Sequence, residues 1–161
     1  MDIVSHGLAL VPEGRQLFPS LTVEENLLVG AHSRRSGGWS LERVYEIFPT
    51  VAEFRNRPST TLSGGQQQLV AIGRALMSNP EVLLCDELSL GLSPAAVDTV
   101  YTALQKLRGE GLTTVIVEQD IARALSVSDR FACMRHGQIA LSGPSVTADR
   151  AEISNAYFGM R

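Results

Sequence analysis

Apolar residues follow two rhythms along the chain, and each rhythm predicts a different kind of element. Short apolar runs at Leu8–Val11, Val82–Cys85, Thr113–Val117, Phe131–Met134 and Gln138–Leu141 read as strands. Between them, apolar positions recur every three or four residues, as helices require. Thr22 followed by Glu25 predicts a capping box opening a helix from about Val23 to Ala31, with Val23, Leu27 and Leu28 on its apolar face. Ser40 predicts the cap of a second helix whose Leu41, Val44, Tyr45 and Phe48 fall at helical spacing until Pro49, with a further turn at Val51–Phe54. Ser63 caps a helix from about Gly65 to Met77, with Leu69, Ile72 and Leu76 inward. Ser93 and Pro94 open another, striped by Val97, Val100, Tyr101, Leu104 and Leu107 and ending at Gly109. Asp120 to about Ser126 and Val146 to Tyr157 complete the helices, and His136-Gly137 predicts a tight hairpin turn.

The order of these elements carries the fold. Strands and helices alternate after Pro80, which argues for a parallel sheet with right-handed crossovers. The continuous apolar run Val82–Cys85 predicts a strand buried on both faces. By contrast, Thr22–Thr60 reads as a small helical insertion, and Ser33–Trp39 as a mobile loop. Length changes little: 161 residues suit one domain with a sizeable core. A net charge of −3 offers no basic face and argues against nucleic acid as a partner. No apolar run reaches the roughly 18 residues that span a bilayer, and the N-terminus lacks a signal-peptide pattern, so a cytoplasmic location is expected. The two cysteines, Cys85 and Cys133, lie in apolar strands and read as reduced core residues.

Candidate chemistry concentrates in Leu62–Glu87, LSGGQQQLVAIGRALMSNPEVLLCDE. The Ser-Gly-Gly turn leaves backbone N–H groups at a helix N-terminus, where peptide dipoles favour an anion such as phosphate. The strand that follows ends on Asp86 and Glu87, one carboxylate suited to a hard cation and the next able to face a water. A plain N-capped helix and a capped turn are the purely structural readings of the same residues. Glu13 and Arg15 stand in the turn after the first strand, at the end of the sheet where ligands bind in open parallel folds.

LSGGQ at Leu62–Gln66, with an apolar strand ending in Asp-Glu twenty residues on, resembles the signature and Walker B strand of the ATP-binding cassette proteins. VPEGRQLFPSLTVEENLLVGA at Val11–Ala31, IGRALMSNP at Ile72–Pro80, SLGLSP at Ser89–Pro94 and VEQD at Val117–Asp120 are similar to the ATP-binding subunits of branched-chain amino acid importers, with urea and amide importers as close cousins. The resemblance covers about Gly7 to Gly159. It implies an α/β fold: a P-loop NTPase core with a parallel sheet and a helical signature subdomain at about 20–78. It also implies ATP and Mg²⁺ as cofactors, with Asp86 holding the metal and Glu87 polarising the attacking water. Ser63, Gly64, Gly65 and Gln66 would meet the γ-phosphate of ATP held by a second cassette, identical or not. Glu13 takes the position that usually offers Gln, and Gln119 the position that usually offers His. Both variants are typical of the branched-chain subfamily. Leu88 stands where Pro is usual, which predicts a looser turn.

One motif of that family does not occur in the 161 residues. No G-x-x-x-x-G-K-[ST] is present, and the only lysine is Lys106, within a helix; thirteen of the fourteen basic residues are Arg. The resemblance therefore implies a core without its P-loop strand, which in the family lies between the strands matching Thr113–Val117 and Phe131–Met134. Two unpaired edges would face a gap, which predicts either collapse of Phe131–Leu141 into it or marginal stability. Three functions follow: part of an ATPase subunit energising branched-chain amino acid import, peripheral to the membrane and docked on its permease subunits; a non-hydrolysing module supplying the signature in trans; or an inert remnant.

Overall fold

The computed structural model describes residues 3–33 and 35–159. The chain divides into two compact units, one ending at Val117 and the other beginning at Glu118.

The first unit is built on three short parallel strands, β1 (Leu8–Val11), β2 (Val82–Asp86) and β3 (Thr113–Val117), in the order β1-β2-β3. Register aligns Val11 with Cys85 and Cys85 with Ile116, so the three strands end together at one carboxyl edge. One face of the sheet carries Ala9, Val11, Leu83 and Cys85, all buried. The other carries Leu10, Leu84 and Val115 in one row; Leu10 is 57% and Val115 48% exposed. The expectation of a strand buried on both faces is thus met on one face only. β2 alternates between buried and half-buried residues because helices of this unit cover a single side.

Five helices complete the unit: α1 (Val23–Gly30), α2 (Leu41–Ile47), α3 (Pro49–Glu53), α4 (Gly64–Leu76) and α5 (Pro94–Gly109). Their starts follow the expected chemistry. Thr22 and Glu25 form a reciprocal capping box, as do Ser63 and Gln66, while Ser40 and Ser93 cap α2 and α5. α4 is the hub, packed against α1, α3, α5 and β1. Its inward face, Leu69, Ile72 and Leu76, is buried, as are Val23 and Leu27 of α1 and Val44 of α2. Leu28, expected on the buried face of α1, is instead 47% exposed.

The contact between α1 and α4 is backbone to backbone. A Cβ added at Gly30 would stand 1.8 Å from the Arg74 carbonyl oxygen, so only glycine admits this approach. Gly73, the residue before Arg74, is packed less tightly, with a Cβ there 2.8 Å from Leu27 and 3.0 Å from Val44. These small residues let three helices share one core without voids.

The segment around Ser33–Trp39, expected to be a mobile loop, is tied down where it is described; Arg34 lies outside the described residues. The Asn79 amide donates to the Arg35 and Trp39 carbonyls and accepts from the Trp39 N–H. Arg35 pairs with Glu81. Asn79 adopts φ +53°, which a short amide side chain tolerates at the end of a helix.

The second unit contains α6 (Ile121–Val127), a hairpin of β4 (Arg130–Arg135) and β5 (Gln138–Pro144), and α7 (Arg150–Phe158). His136 and Gly137 both take positive φ, the geometry of the expected two-residue turn. β4 pairs with β5 in a two-stranded antiparallel sheet of its own. The last helix begins later than its apolar pattern predicts. Ser145–Thr147 forms a 3₁₀ turn, Ala148 is extended, and Asp149 caps α7 by accepting from the Ala151 and Glu152 N–H groups.

Candidate functional site

The parallel register assembles the acidic part of the site. β1 and β2 are adjacent, and Glu13 follows the end of β1 by two residues while Asp86 is the last residue of β2. Both therefore occupy the carboxyl edge of the sheet, with Glu13 exposed and Asp86 half-buried. Glu87 follows at once in a left-handed backbone conformation, φ +44°, with its N–H donating to the Val117 carbonyl at 3.1 Å. This bond fixes the backbone where β2 ends, and it turns Glu87 away from the regular alternation of the strand. The next turn is closed by Leu90 N–H to the Glu87 carbonyl and Leu92 N–H to the Ser89 carbonyl. Leu88 is 1% exposed and anchors that turn in the core, so the expected loosening at this position is not found.

Cys85, in the strand leading to these acids, is buried. Burial pushes the Cys85 thiol up to about 12. Both cysteines are free. Among the described residues no group of three or more His, Cys, Asp or Glu side chains could hold a metal unaided. Asp86 is a single hard oxygen donor, which fits Mg²⁺ bound through one carboxylate with the remaining positions taken by water and phosphate oxygens.

The signature turn is assembled locally. Ser63 Oγ accepts from the Gln66 N–H, and the Gln66 side chain accepts from the Ser63 N–H at 2.9 Å. Gly64 and Gly65 thereby open a helix of thirteen residues, long enough to present a developed dipole at its start. Neighbours enforce the glycines. A Cβ on Gly65 would lie 2.9 Å from the Ala96 Cβ of α5, and one on Gly64 would lie 3.0 Å from Leu92 and 3.2 Å from the Arg15 guanidinium. Behind the turn, the Gln67 amide donates to the Ser59 and Leu62 carbonyls, each at 3.2 Å.

Gln119 lies two residues beyond β3, in the second unit, next to Asp120, which caps α6. Within the first unit the fold brings together Glu13, Asp86 and Glu87 at the sheet edge and Ser63–Gln66 at the start of α4. Three residues of this region lie in stretches that carry the family resemblance, but the sequence gives no sign of the contacts they make. Asn26, fully buried in α1, accepts from the Phe18 N–H and donates to the Phe18, Leu21 and Thr22 carbonyls. Arg74 donates to two carbonyls of the loop after β1. Arg15 places its guanidinium against Gly64. The one available hint is that Arg74 interrupts the apolar side of α4 close to its end.

Comparison with known proteins gives a consistent result. A family model described as ABC transporter matches residues 1–89. The high-affinity branched-chain amino acid transport ATP-binding protein BraG of Pseudomonas aeruginosa is 39% identical over 161 residues, covering 98% of this chain and 69% of the relative. The probable branched-chain amino acid transport ATP-binding protein LivF of Archaeoglobus fulgidus is 34% identical, covering 85% and 59%. Among solved structures, a nucleotide-free ATP-binding cassette from an ABC transporter superposes with a TM-score of 0.77 at 27% identity, covering 96% of this chain and 66% of the other. A dimeric cassette in a post-hydrolysis state bound to ADP and phosphate gives 0.70 at 29%, covering 86% and 62%. The chain thus spans between about three fifths and seven tenths of the length of these proteins.

Proposed function

Because the chain belongs to the ABC transporter family as an ATP-binding cassette, we propose that it serves in an importer of branched-chain amino acids, where its signature turn completes an ATP site held by a second cassette. The observation that carries this reading is the start of α4. Ser63 and Gln66 satisfy each other's backbone N–H groups, and Gly64 and Gly65 open a long helix whose N-terminal dipole favours an anion. A glycine-rich turn of this kind approaches phosphate oxygens with backbone N–H groups and needs no cation of its own.

In this reading residues of about 20–78 form the helical subdomain, and the cassette sits on the cytoplasmic face of the membrane against permease subunits. No described helix is long and apolar enough to cross a membrane. Asp86 would hold Mg²⁺, which neutralises charge on the transferred phosphoryl group when bound. Glu87, turned out of the strand by its left-handed backbone, would orient the attacking water, with Glu13 and Gln119 beside the reacting phosphate.

A second reading is favoured by one observation. The 161 residues contain no G-x-x-x-x-G-K-[ST], so the lysine and backbone cradle for phosphates must come from another segment or another polypeptide. If the chain contributes only the signature, Glu87 is idle. Two variants test the readings, and the second separates them, when the chain is mixed with a P-loop-bearing cassette and permease subunits and ATP turnover is measured. Ser63→Arg is expected to abolish stimulated turnover in both. Glu87→Gln lowers it at least 100-fold if this chain hydrolyses at its own site and leaves it unchanged if the chain works only in trans. Failure of the wild-type chain to stimulate turnover overturns both. Leucine uptake by the same assembly tests the solute.

A further inference from the structure

Arg74 is spent in an unusual way. It lies at the far end of α4 from the signature turn, is about half-buried, and directs its fork at two successive carbonyls, not at a carboxylate. Nη1 donates to the Gln16 oxygen at 2.7 Å and Nη2 to the Arg15 oxygen at 2.9 Å, with the Phe18 ring 5.7 Å from Cζ. Burial lowers the Arg74 pKa, so the charge is held there against a desolvation cost. Arginine is suited to this because its planar fork fixes two acceptors at once, which an ammonium cannot do.

The two residues it grips are strained. Arg15 and Gln16 adopt φ +65° and +44°, consecutive non-glycine residues in the left-handed region. Such a pair persists only where the surroundings over-determine it. Here the backbone of Arg15 is held at Arg74 while its guanidinium reaches Gly64, within 3.2 Å of where a Cβ would stand. Ten residues of helix separate Gly64 from Arg74, about 15 Å at 1.5 Å per residue. The Arg15 side chain at Gly64 and the Arg74 side chain at the Arg15 and Gln16 carbonyls together bridge α4, and the turn that follows Glu13 is bound to the helix that starts at the signature.

We infer that Arg74 is a positioning residue for the composite site: its fork locks the strained Arg15–Gln16 turn onto α4, so that Glu13 and the Ser63–Gln66 turn keep one fixed register. This rests on the proposed role of those residues in ATP turnover, but the lock itself can be tested without it. Trypsin cuts after arginine, and a locked left-handed turn is a poor substrate. Limited trypsin digestion of the intact chain, followed by mass spectrometry, is expected to show cleavage at Arg15–Gln16 at least tenfold faster in Arg74→Gln than in wild type. Arg74→Lys keeps the charge and most of the stem. It is expected to restore the thermal unfolding midpoint but not the protection of Arg15–Gln16, whereas a residue needed only for packing would regain both together. In the mixed-cassette assay Arg74→Lys is expected to lower the maximal rate at least tenfold, with the ATP concentration for half-maximal rate within twofold. Wild-type cleavage rates in folded Arg74→Lys and Arg74→Gln overturn the inference, as does an unchanged maximal rate in an assembly that the wild-type chain stimulates. A wild-type chain that stimulates nothing overturns the proposed function, and the digestion result still decides the lock.

Discussion

The helices around α4 and the sheet beside them are built to different standards of closure. In the helical part Asn26 is fully buried, its oxygen accepting one hydrogen bond and its two amide N–H groups shared among three carbonyls, and Gly30 and Gly73 bring helices to contact distance. In the sheet, one face is packed and the other leaves Leu10, Val115 and Val117 about half exposed. The signature turn belongs to the closed region and the acidic edge to the half-open one. A phosphate-binding turn needs only local capping, so it forms from a few consecutive residues. The acidic edge depends on strands distant in sequence ending in register, and the residues of this unit pack one face of them.

Substitutions can break this contrast. The largest expected loss is Gly30→Ala, where the added carbon meets the Arg74 carbonyl at 1.8 Å. Separating α1 from α4 should cost about 3 kcal/mol or more in urea denaturation, whereas Gly109→Ala, with open space around it, should be close to neutral. Asn26→Ala comes next. It leaves the Phe18 N–H without its acceptor and takes one donor from the Phe18, Leu21 and Thr22 carbonyls, each of which keeps another, at a cost of about 1–2 kcal/mol by the same measurement.

The packed face of the sheet makes an alkaline prediction. The Cys85 thiol is raised from 9.0 to about 12 by burial, so the fold favours the neutral thiol. Below pH 9 both folded and unfolded chains are protonated and stability is unaffected. Between pH 9 and 12 only the unfolded chain ionises, and stability falls by about 1.4 kcal/mol per unit of pH. Cys85→Ala should remove that slope from denaturation midpoints between pH 9 and 10 and lessen it above, where the Tyr45 hydroxyl, also raised by burial, adds a slope of the same sign. The smallest effect sharpens the contrast. Leu10→Thr, on the open face, should change stability by less than about 0.5 kcal/mol, while Val11→Thr, one residue on and 0% exposed, should cost about 2 kcal/mol.

The sequence announces what local chemistry controls. Both capping boxes, the Ser93-Pro94 start of α5 and the His136-Gly137 turn are found where side-chain chemistry places them, and LSGGQ followed by the Asp86-Glu87 strand end identifies the family. What it hides is set by tertiary contact. An apolar run looks the same whether one face or two are covered, so the half-open state of β2 leaves no mark in Val82–Cys85. The late start of α7 escapes because Val146 continues an apolar rhythm that Asp149 overrides by capping. The contacts of Arg74 and Asn26 are hidden for another reason: their partners are backbone groups, which every residue possesses. The left-handed backbones of Arg15, Gln16 and Glu87 fall on residue types that do not advertise them.

The order β1-β2-β3 leaves β3 with one hydrogen-bonded neighbour in its sheet. In a parallel ladder a strand alternates the side to which its amides point. Isotope exchange across Thr113–Val117 should therefore read as a comb, slow and fast amides in turn, while β2, flanked on both sides, shows unbroken protection. Any strand that came to lie along β3 would erase the comb's fast teeth and leave the slow ones as they were.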